Sequence, residues 1–213
     1  MRYYIADCHF FHEALNREMD HRGFASVEEM NEYMIKRWNE KVRNRDEVVI
    51  LGDLSMGNAE QTNALLDRLQ GKLFLIVGNH DNRYLRSKIF HKERFGWIYP
   101  YAELHDDGRK VVLSHYPVAC YNGQYLKNKK GEPRTYMLYG HVHDSHDERL
   151  IEQYQQMVEK TRIPDRDGGT QALSSHMINC FCMYSDYQPL SLDEWIAQTK
   201  QRLIRCQNVE DSL

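Results

Sequence analysis

The chain has 213 residues, a length typical of one folded domain with a buried core, so we expect a single domain over residues 1–213. Its 28 Lys and Arg are outnumbered by 31 Asp and Glu, and the formal net charge of -3 excludes a long-range positive field that would attract nucleic acid. No apolar run reaches the roughly 18 residues of a membrane span. The first ten residues are strand-like and do not form a signal-peptide pattern, so a cytoplasmic protein that binds no membrane is expected.

The first half of the sequence alternates short apolar runs with amphipathic helical patterns. Three of these apolar runs are predicted to be strands, at residues 2–6, 47–51 and 72–77. Two capping patterns, each a Ser or Asn followed three residues later by Glu or Gln, predict one helix near 26–44 and another from 58 to Gly71. This βαβαβ order favours a sheet buried between helices, with ligand-binding side chains at the carboxyl ends of its strands.

The second half has the pattern of short strands and hairpins followed by helices. Strands are predicted at residues 101–105, 110–114, 136–139 and 176–184. A polar helix is predicted over 146–160, and Ser191 with Glu194 caps a closing helix through Arg205. Residues 163–169 are rich in turn-forming residues and are predicted to be a loop.

Five polar motifs stand in a fixed order along the chain, most of them directly after a predicted strand. They are Asp7-x-His9, Gly52-Asp53, Gly78-Asn79-His80-Asp81, His115 and Gly140-His141-x-His143. Each motif alone is a weak signal, since Gly-Asp is common in any chain, but the ordered combination is a strong one. The glycines permit tight turns and a close approach of the backbone to a bound anion.

Seven side chains of these motifs are candidate metal ligands: Asp7, His9, Asp53, Asn79, His115, His141 and His143. Carboxylate and amide oxygens mixed with imidazole nitrogens suit Mn, Fe, Ni or Zn, whereas Ca and Mg sites seldom contain several histidines. The motifs contain no cysteine ligand, which argues against a closed structural zinc site. Seven ligands are too many for one tetrahedral ion, but they suffice for two divalent ions when one carboxylate bridges them.

With these motifs the sequence resembles the calcineurin-like metallophosphoesterase superfamily, in particular its small single-domain bacterial and phage members. All five motif blocks of that family are present, although Phe11 stands where the first motif usually has glycine. The resemblance implies an α/β (α+β) fold of two mixed β-sheets packed as a sandwich and flanked by helices. It also implies two groups of ligands that share Asp53 as a bridge: Asp7, His9, Asp53 and His143 for one ion, and Asp53, Asn79, His115 and His141 for the other.

The resemblance further implies a reaction in which water activated by the two ions attacks phosphorus, without a covalent enzyme intermediate. His80 matches the family's catalytic histidine that binds no metal, and Asp81 is predicted to orient it. The expected substrate is a small phosphomonoester or phosphodiester, nucleotides included. The alternative is a nuclease or RNA-end processing phosphodiesterase with the same metal site, which the net charge of -3 disfavours.

Substrate contacts are predicted at two places in the sequence. His12 follows the first motif closely and is a candidate for contact with substrate. Lys127, Lys130 and Arg134 form a basic loop that would overhang the metals and hold phosphate, although charged residues are also common in solvated loops. Four tyrosines around this loop are candidates either for stacking on a base or for packing in a hairpin: Tyr116, Tyr121, Tyr125 and Tyr136.

Overall fold

The computed structural model describes residues 1–164 and 168–210, with side chains described as far as residue 204. The strands are β1 (Arg2–Ile5), β2 (Glu47–Ile50), β3 (Lys72–Ile76), β4 (Phe95–Tyr99), β5 (Tyr101–Asp106), β6 (Arg109–Ser114), β7 (Thr135–Tyr139), β8 (Arg162–Pro164), β9 (Thr170–Ala172) and β10 (Met177–Asn179). The α-helices are α1 (Val27–Lys41), α2 (Ala59–Arg68), α3 (Asn82–Leu85), α4 (His146–Lys160) and α5 (Leu192–Glu210). Within the described ranges, no helix combines the length and the apolar character needed to cross a membrane.

Eight of the described strands form two four-stranded sheets. The first sheet has the order β1-β2-β3-β4 and is parallel throughout, apart from an isolated antiparallel bridge between Tyr4 and Leu190. The second sheet has the order β10-β7-β6-β5, in which only the β5–β6 pair is antiparallel. The predicted pair of β-sheets flanked by helices is therefore confirmed. Strand β4 was not predicted from the sequence.

The two sheets pack face to face around an apolar core. Alternate side chains of each strand point to opposite faces, so Tyr4 and Val49 of the first sheet meet Val111 and Leu138 of the second. The other face of the first sheet packs against α1 and α2, where Trp38 is fully buried. Helix α4 covers the outer face of the second sheet. The first sheet is thus buried between helices and a second sheet, which corrects the expectation of helices on both of its faces.

Several local predictions can be compared with the observed elements. The helix predicted over 146–160 has the bounds of α4, and the two capping patterns begin α1 and α2, although α1 ends at Lys41 and α2 at Arg68. The closing helix begins at Leu192 and continues beyond the predicted end to Glu210. In the loop predicted at 163–169, residues 163 and 164 belong to strand β8 of the β8–β9 hairpin, which corrects the prediction there, and residues 165–167 lie outside the described part of the chain.

The strand predicted at 176–184 is wrong beyond Asn179. Cys180 still donates its amide to Tyr139 of the second sheet, but Cys182 donates its amide to Ala6 at the end of the first sheet. The chain therefore crosses from one sheet to the other, and it then forms a 3-10 turn over Cys182–Ser185. This crossing joins the two sheets at the edge where the polar motifs lie.

Candidate metal centre

Two groups of ligand atoms meet where the strands end. Asp7, His9 and His143 form one group and Asp7, Asp53 and His115 form the other, and in each group the three ligand atoms lie within 4.8 Å of one another. Asp53 Oδ2 lies 3.5 Å from His9 Nε2 and 3.4 Å from His115 Nε2. This carboxylate oxygen of the second group therefore also faces His9 of the first group, and Asp7 belongs to both groups.

The two remaining candidate ligands lie beside the second group. Asn79 Oδ1 is 2.9 Å from His115 Nε2 and 3.0 Å from His141 Nδ1. The backbone amide of His141 donates to both carboxylate oxygens of Asp7 at 3.0 Å, which ties the last motif to the first. All seven candidate ligands, from five separate motifs, are thus brought into one cluster.

The backbone of this cluster is strained. Five of the seven candidate ligands have left-handed backbone conformations, at Asp7 (φ 54), His9 (φ 47), Asp53 (φ 53), His141 (φ 72) and His143 (φ 50). Non-glycine residues rarely adopt this conformation, and each instance costs on the order of 1–3 kcal/mol. The strained residues are therefore the same ones whose side chains converge in the cluster.

The motif glycines provide space for ligands that come from other motifs. A Cβ atom on any of three glycines would lie within 3.0 Å of a ligand side chain, with Gly52 facing His115, Gly78 facing Asp53 and Gly140 facing Asp7. Contacts this short essentially never occur for real Cβ atoms. These glycines are therefore required by the close approach of one motif to another.

Hydrogen bonds and burial prepare the histidines for metal binding. His115 Nδ1 donates to the carbonyl of Leu51 at 2.8 Å, so Nε2, which faces Asp53 and Asn79, is the nitrogen that would bind a metal ion in place of its proton. Both ring nitrogens of the buried His9 lack a hydrogen-bond partner among the described residues. Unpartnered buried nitrogens are costly, and coordination to a cation would satisfy one of them. The residues present therefore fit divalent transition-metal ions.

The titration behaviour of the cluster reflects its buried charges. Burial raises the pKa of Asp7 to about 6. Burial acts in the same direction on Asp53, but the neighbouring imidazole of His115 outweighs it and lowers the pKa of Asp53 to about 2. Burial opposes protonation of His115, yet Asp53 and Asp7 raise its pKa to about 9. Two buried carboxylates among histidines thus favour positive charge at this place.

His80 lies at the exposed side of the cluster and not among the ligand atoms. Its side chain is 44% exposed, and Nε2 is 4.0 Å from Asp53 Oδ2. Its backbone amide donates to Asp53 Oδ1 at 2.9 Å. His80 can therefore reach a substrate that occupies the open side of the cluster.

Asp81, which was predicted to orient His80, makes its observed hydrogen bonds to other groups. Among the described residues its buried carboxylate accepts from the backbone amides of Asp53, Leu54 and Gly78 and from the hydroxyl of Tyr84. The two turns that carry Asp53 and Asn79 are tied together by these bonds. The role of Asp81 in this structure is to hold the backbone beneath the ligands.

The predicted substrate-binding residues separate into two places. The His12 ring lies 5.6 Å from that of His9, at the cluster. The basic loop does not lie there, because Arg134 precedes β7 whereas His141 follows it. The six residues of largely extended chain between them correspond to a separation of about 20 Å. Lys127 forms a β-bridge with Pro133 and lies, like Arg134, at the amino end of β7. The exposed Lys130 lies in the turn between Lys127 and Pro133.

The four tyrosines are also separated by the structure. Tyr116 is 48% exposed and its ring contacts that of His141, with 4.5 Å between the centroids. Tyr121 and Tyr136 are buried in the apolar cores, in agreement with the packing alternative for these two. Tyr125 is exposed on the loop two residues before Lys127. Only Tyr116 of this set contacts a candidate ligand.

Two residues near the ligands were missed by the sequence analysis. His143 Nδ1 donates to Asp20 Oδ1 at 2.8 Å, and Arg22 forms an ion pair with the same carboxyl group. Both residues belong to an irregular segment between β1 and α1, where no motif or periodicity marks them. Only their contacts in three dimensions reveal them.

Comparisons with known proteins were consistent with this geometry. The family model described as calcineurin-like phosphoesterase matches residues 3–198. An uncharacterized protein of Methanocaldococcus jannaschii is 35% identical over 146 residues, which cover 68% of this chain and 70% of that protein. The gene 66 protein of Mycobacterium phage L5 is 28% identical over 167 residues, which cover 66% of this chain and 76% of that protein. The crystal structure of a protein of unknown function from Aquifex aeolicus shares the fold, with a TM-score of 0.62, 22% identity, and coverage of 91% of this chain and 96% of that one.

Proposed function

Because this chain belongs to the calcineurin-like phosphoesterase family and is a metal-dependent phosphoesterase, we propose that it hydrolyses a small phosphate ester with two divalent transition-metal ions. The observation that carries the proposal is the pair of ligand groups, joined by Asp7, together with the position of Asp53 Oδ2 3.5 Å from His9 Nε2 and 3.4 Å from His115 Nε2. Asp7, His9, Asp53 and His143 hold one ion, and Asp53, Asn79, His115 and His141 hold the other. The donor set suits Mn, Fe, Ni or Zn.

When bound, two such ions lower the pKa of water towards neutrality and offset the charge of the phosphoryl oxygens. The residues of the chain supply orientation and proton transfer. His80, on the exposed side of the cluster, donates a hydrogen bond to a phosphoryl oxygen or protonates the leaving alkoxide. His12 contacts the substrate from the side of His9. Asp81 holds the turns of Asp53 and Asn79 at a fixed separation.

The proposed substrate carries a planar group, as a nucleotide or an aryl phosphate does. Support comes from Tyr116, whose ring is half exposed and rests against His141. An aromatic platform beside the reacting phosphorus contributes about 1–3 kcal/mol by stacking on a base. The nuclease alternative draws no support from Lys127, Lys130 and Arg134, since these residues lie at the far end of β7.

The central test measures metal content and hydrolysis together. Purified protein is loaded with Mn, Fe, Ni or Zn and assayed on p-nitrophenyl phosphate, bis-p-nitrophenyl phosphate, nucleotides and a short oligonucleotide. We expect two ions per chain, hydrolysis that a chelator abolishes, and a weak rate on the oligonucleotide. Failure to bind any divalent ion would contradict the proposal, and oligonucleotide cleavage that falls steeply with salt would favour the nuclease.

The role of His80 is tested with His80→Ala. This variant is expected to retain both ions, because His80 is not among the ligands, and to lose about a hundred- to ten-thousandfold in kcat. His105→Ala, which removes an exposed histidine on β5, is the matched control and should retain full activity. A fully active His80→Ala enzyme would remove the role given to this residue.

The role of Tyr116 is tested with Tyr116→Leu. We expect kcat/KM for nucleotides to fall about tenfold, while kcat/KM for an alkyl phosphate of the same charge changes little. Tyr125→Leu, a second exposed tyrosine remote from the metal centre, is the control. Equal losses on both substrate classes would show that Tyr116 supports His141 and does not select the substrate.

A further inference from the structure

The segment Asp20–Arg22 connects the first motif of the metal centre to the last. Asp20 accepts a hydrogen bond from His143 Nδ1 at 2.8 Å through Oδ1. Its other oxygen, Oδ2, accepts from Arg22 Nε at 3.1 Å and from Arg22 Nη2 at 2.9 Å. Both oxygens of one carboxylate are therefore in use, one for a candidate ligand and one for a fixed cation.

Arg22 extends this connection to the backbone of the first motif. Its Nη1 donates to the carbonyl of Cys8 at 2.6 Å, and its Nη2 donates to the carbonyl of Asp7 at 3.0 Å. These carbonyls belong to the turn in which Asp7 and His9 adopt left-handed conformations. The Arg22 side chain is fully buried, with 0% of its surface exposed, so water does not compete for these bonds.

The two contacts of Asp20 fix both the orientation and the tautomer of His143. A carboxylate can only accept, so the proton of a neutral His143 ring must lie on Nδ1. The lone pair then lies on Nε2, which is 3.8 Å from Asp7 Oδ1, on the side of the first ligand group. Carboxylates that hold ligand histidines in this manner typically contribute about ten- to a hundredfold in metal affinity.

We propose that Asp20 and Arg22 are positioning residues of the metal centre: Asp20 holds His143 with Nε2 free for metal, and Arg22 anchors Asp20 to the strained turn that carries Asp7 and His9. This inference rests on the proposed two-ion site. A purely structural ion pair between Asp20 and Arg22 would instead contribute to stability alone. It would not affect the tautomer of His143, and it would not affect the binding of one ion more than that of the other.

The direct test observes the histidine tautomer in the wild-type chain. Two-bond ¹H–¹⁵N spectra of the protein after chelation, recorded at a pH high enough for the ring to be neutral, are expected to show His143 with its proton on Nδ1. Asp20→Asn should disturb this state, because a carboxamide can either accept from Nδ1 or donate to it. A neutral wild-type His143 ring with its single proton on Nε2 would overturn the proposal without the use of any variant.

The second measurement is metal affinity. Chelator competition with Mn or Zn on Asp20→Asn should show one of the two ions weakened about ten- to a hundredfold, while the other is nearly unchanged. Arg22→Lys, which retains the charge and loses the paired bonds to Asp20, should weaken the same ion. Glu18→Gln is the control, since Glu18 is exposed in the same segment.

The outcomes separate this proposal from the proposed function. If the wild-type chain binds two ions and both Asp20→Asn and Arg22→Lys bind them with wild-type affinity, the positioning role is wrong and the phosphoesterase function stands. If both variants weaken the two ions equally, in proportion to a loss of thermal stability measured in chelator, the residues are only structural. If the wild-type chain binds no ions, the proposed two-ion function itself fails.

Discussion

The two ends of the strands differ in the burial of their charged side chains and in the backbone conformation that carries them. At the carboxyl ends, the carboxylates of Asp7 and Asp53 are buried, and left-handed backbone carries both residues. At the amino end of β7, the charged residues Lys127 and Arg134 are exposed in a simple turn. Buried charge and strained backbone each oppose folding, so their coincidence at one end indicates a ligand that offsets both. The difference between the ends marks the functional site independently of any motif.

The variant expected to have the largest effect at the carboxyl ends neutralises the Asp53 carboxylate. Asp53→Asn should lose metal and reduce hydrolysis by on the order of a thousandfold or more, about 4 kcal/mol in activation free energy, because Asp53 Oδ2 faces both His9 and His115. Asp107→Asn makes the same chemical change at another left-handed aspartate, exposed in the β5–β6 turn. Metal content by mass spectrometry and hydrolysis rates should be normal for this control. Retention of both ions by Asp53→Asn would contradict the bridging role.

The glycines offer a second contrast, between close approach and backbone conformation. Gly78→Ala places a Cβ against Asp53, so the turn must shift, and metal affinity should fall about ten- to a hundredfold. Gly131→Ala has open space around it but a φ of +81. We expect this control to lose about 1 kcal/mol in stability and no metal affinity. Chelator competition and urea unfolding distinguish the two effects, and equal metal affinity for both variants would contradict the proposed crowding.

The difference between local sequence patterns and contacts of distant residues explains which parts of the structure could be predicted. Asp7, Asp53 and His115 were identifiable because each directly follows an apolar strand, and parallel strands bring such residues to one edge. The contact of Asp20 with His143 joins residues 123 positions apart through an irregular segment, so no local pattern encodes it. The strand end at Asn179 was missed for a related reason, since the chain leaves its sheet there to pair with Ala6 of the other.

The path of the basic loop could not be predicted from the local sequence either. Its position between His115 and His141 in sequence suggested that it overhangs the metals. The loop instead runs the length of the second sheet, as the bond from the His176 amide to the hydroxyl of Tyr121 shows, and returns at the amino end of β7. Sequence proximity to two ligands therefore did not predict spatial proximity to them.

The amino ends of the strands contain one titrating group whose effect is on stability and not on metal binding. Burial, with Lys127 and Lys200 nearby, lowers the pKa of His176 to about 4. The unfolded chain, with an ordinary pKa near about 6.5, takes up this proton first as the pH falls. Stability linked to His176 is therefore complete above about pH 6.5 and is lost as the pH falls towards 4.

This pH effect should be measurable as a difference between variants. Between pH 7.5 and pH 5.0, the free energy of unfolding of the wild-type chain in chelator should fall by about 1 kcal/mol more than that of His176→Gln. This value is about half of what the full pKa shift would give over this pH range, because the side chain is only partly buried and solvent screens its charge. His105→Gln, an exposed control, should follow the wild type in urea unfolding. Parallel pH profiles for wild type and His176→Gln would mean that this histidine is not held neutral by the fold.

The smallest expected effect comes from the charges at the far end. The triple variant Lys127→Ala, Lys130→Ala and Arg134→Ala removes three positive charges about 20 Å from the metal centre, at a separation greater than the roughly 8 Å over which physiological salt screens charge. We expect kcat/KM for phosphate esters to change less than about twofold at 0.15 M salt. A tenfold loss that is equal for all esters would instead assign these residues to phosphate binding, and it would require the loop to move along the sheet to reach the carboxyl ends of the strands.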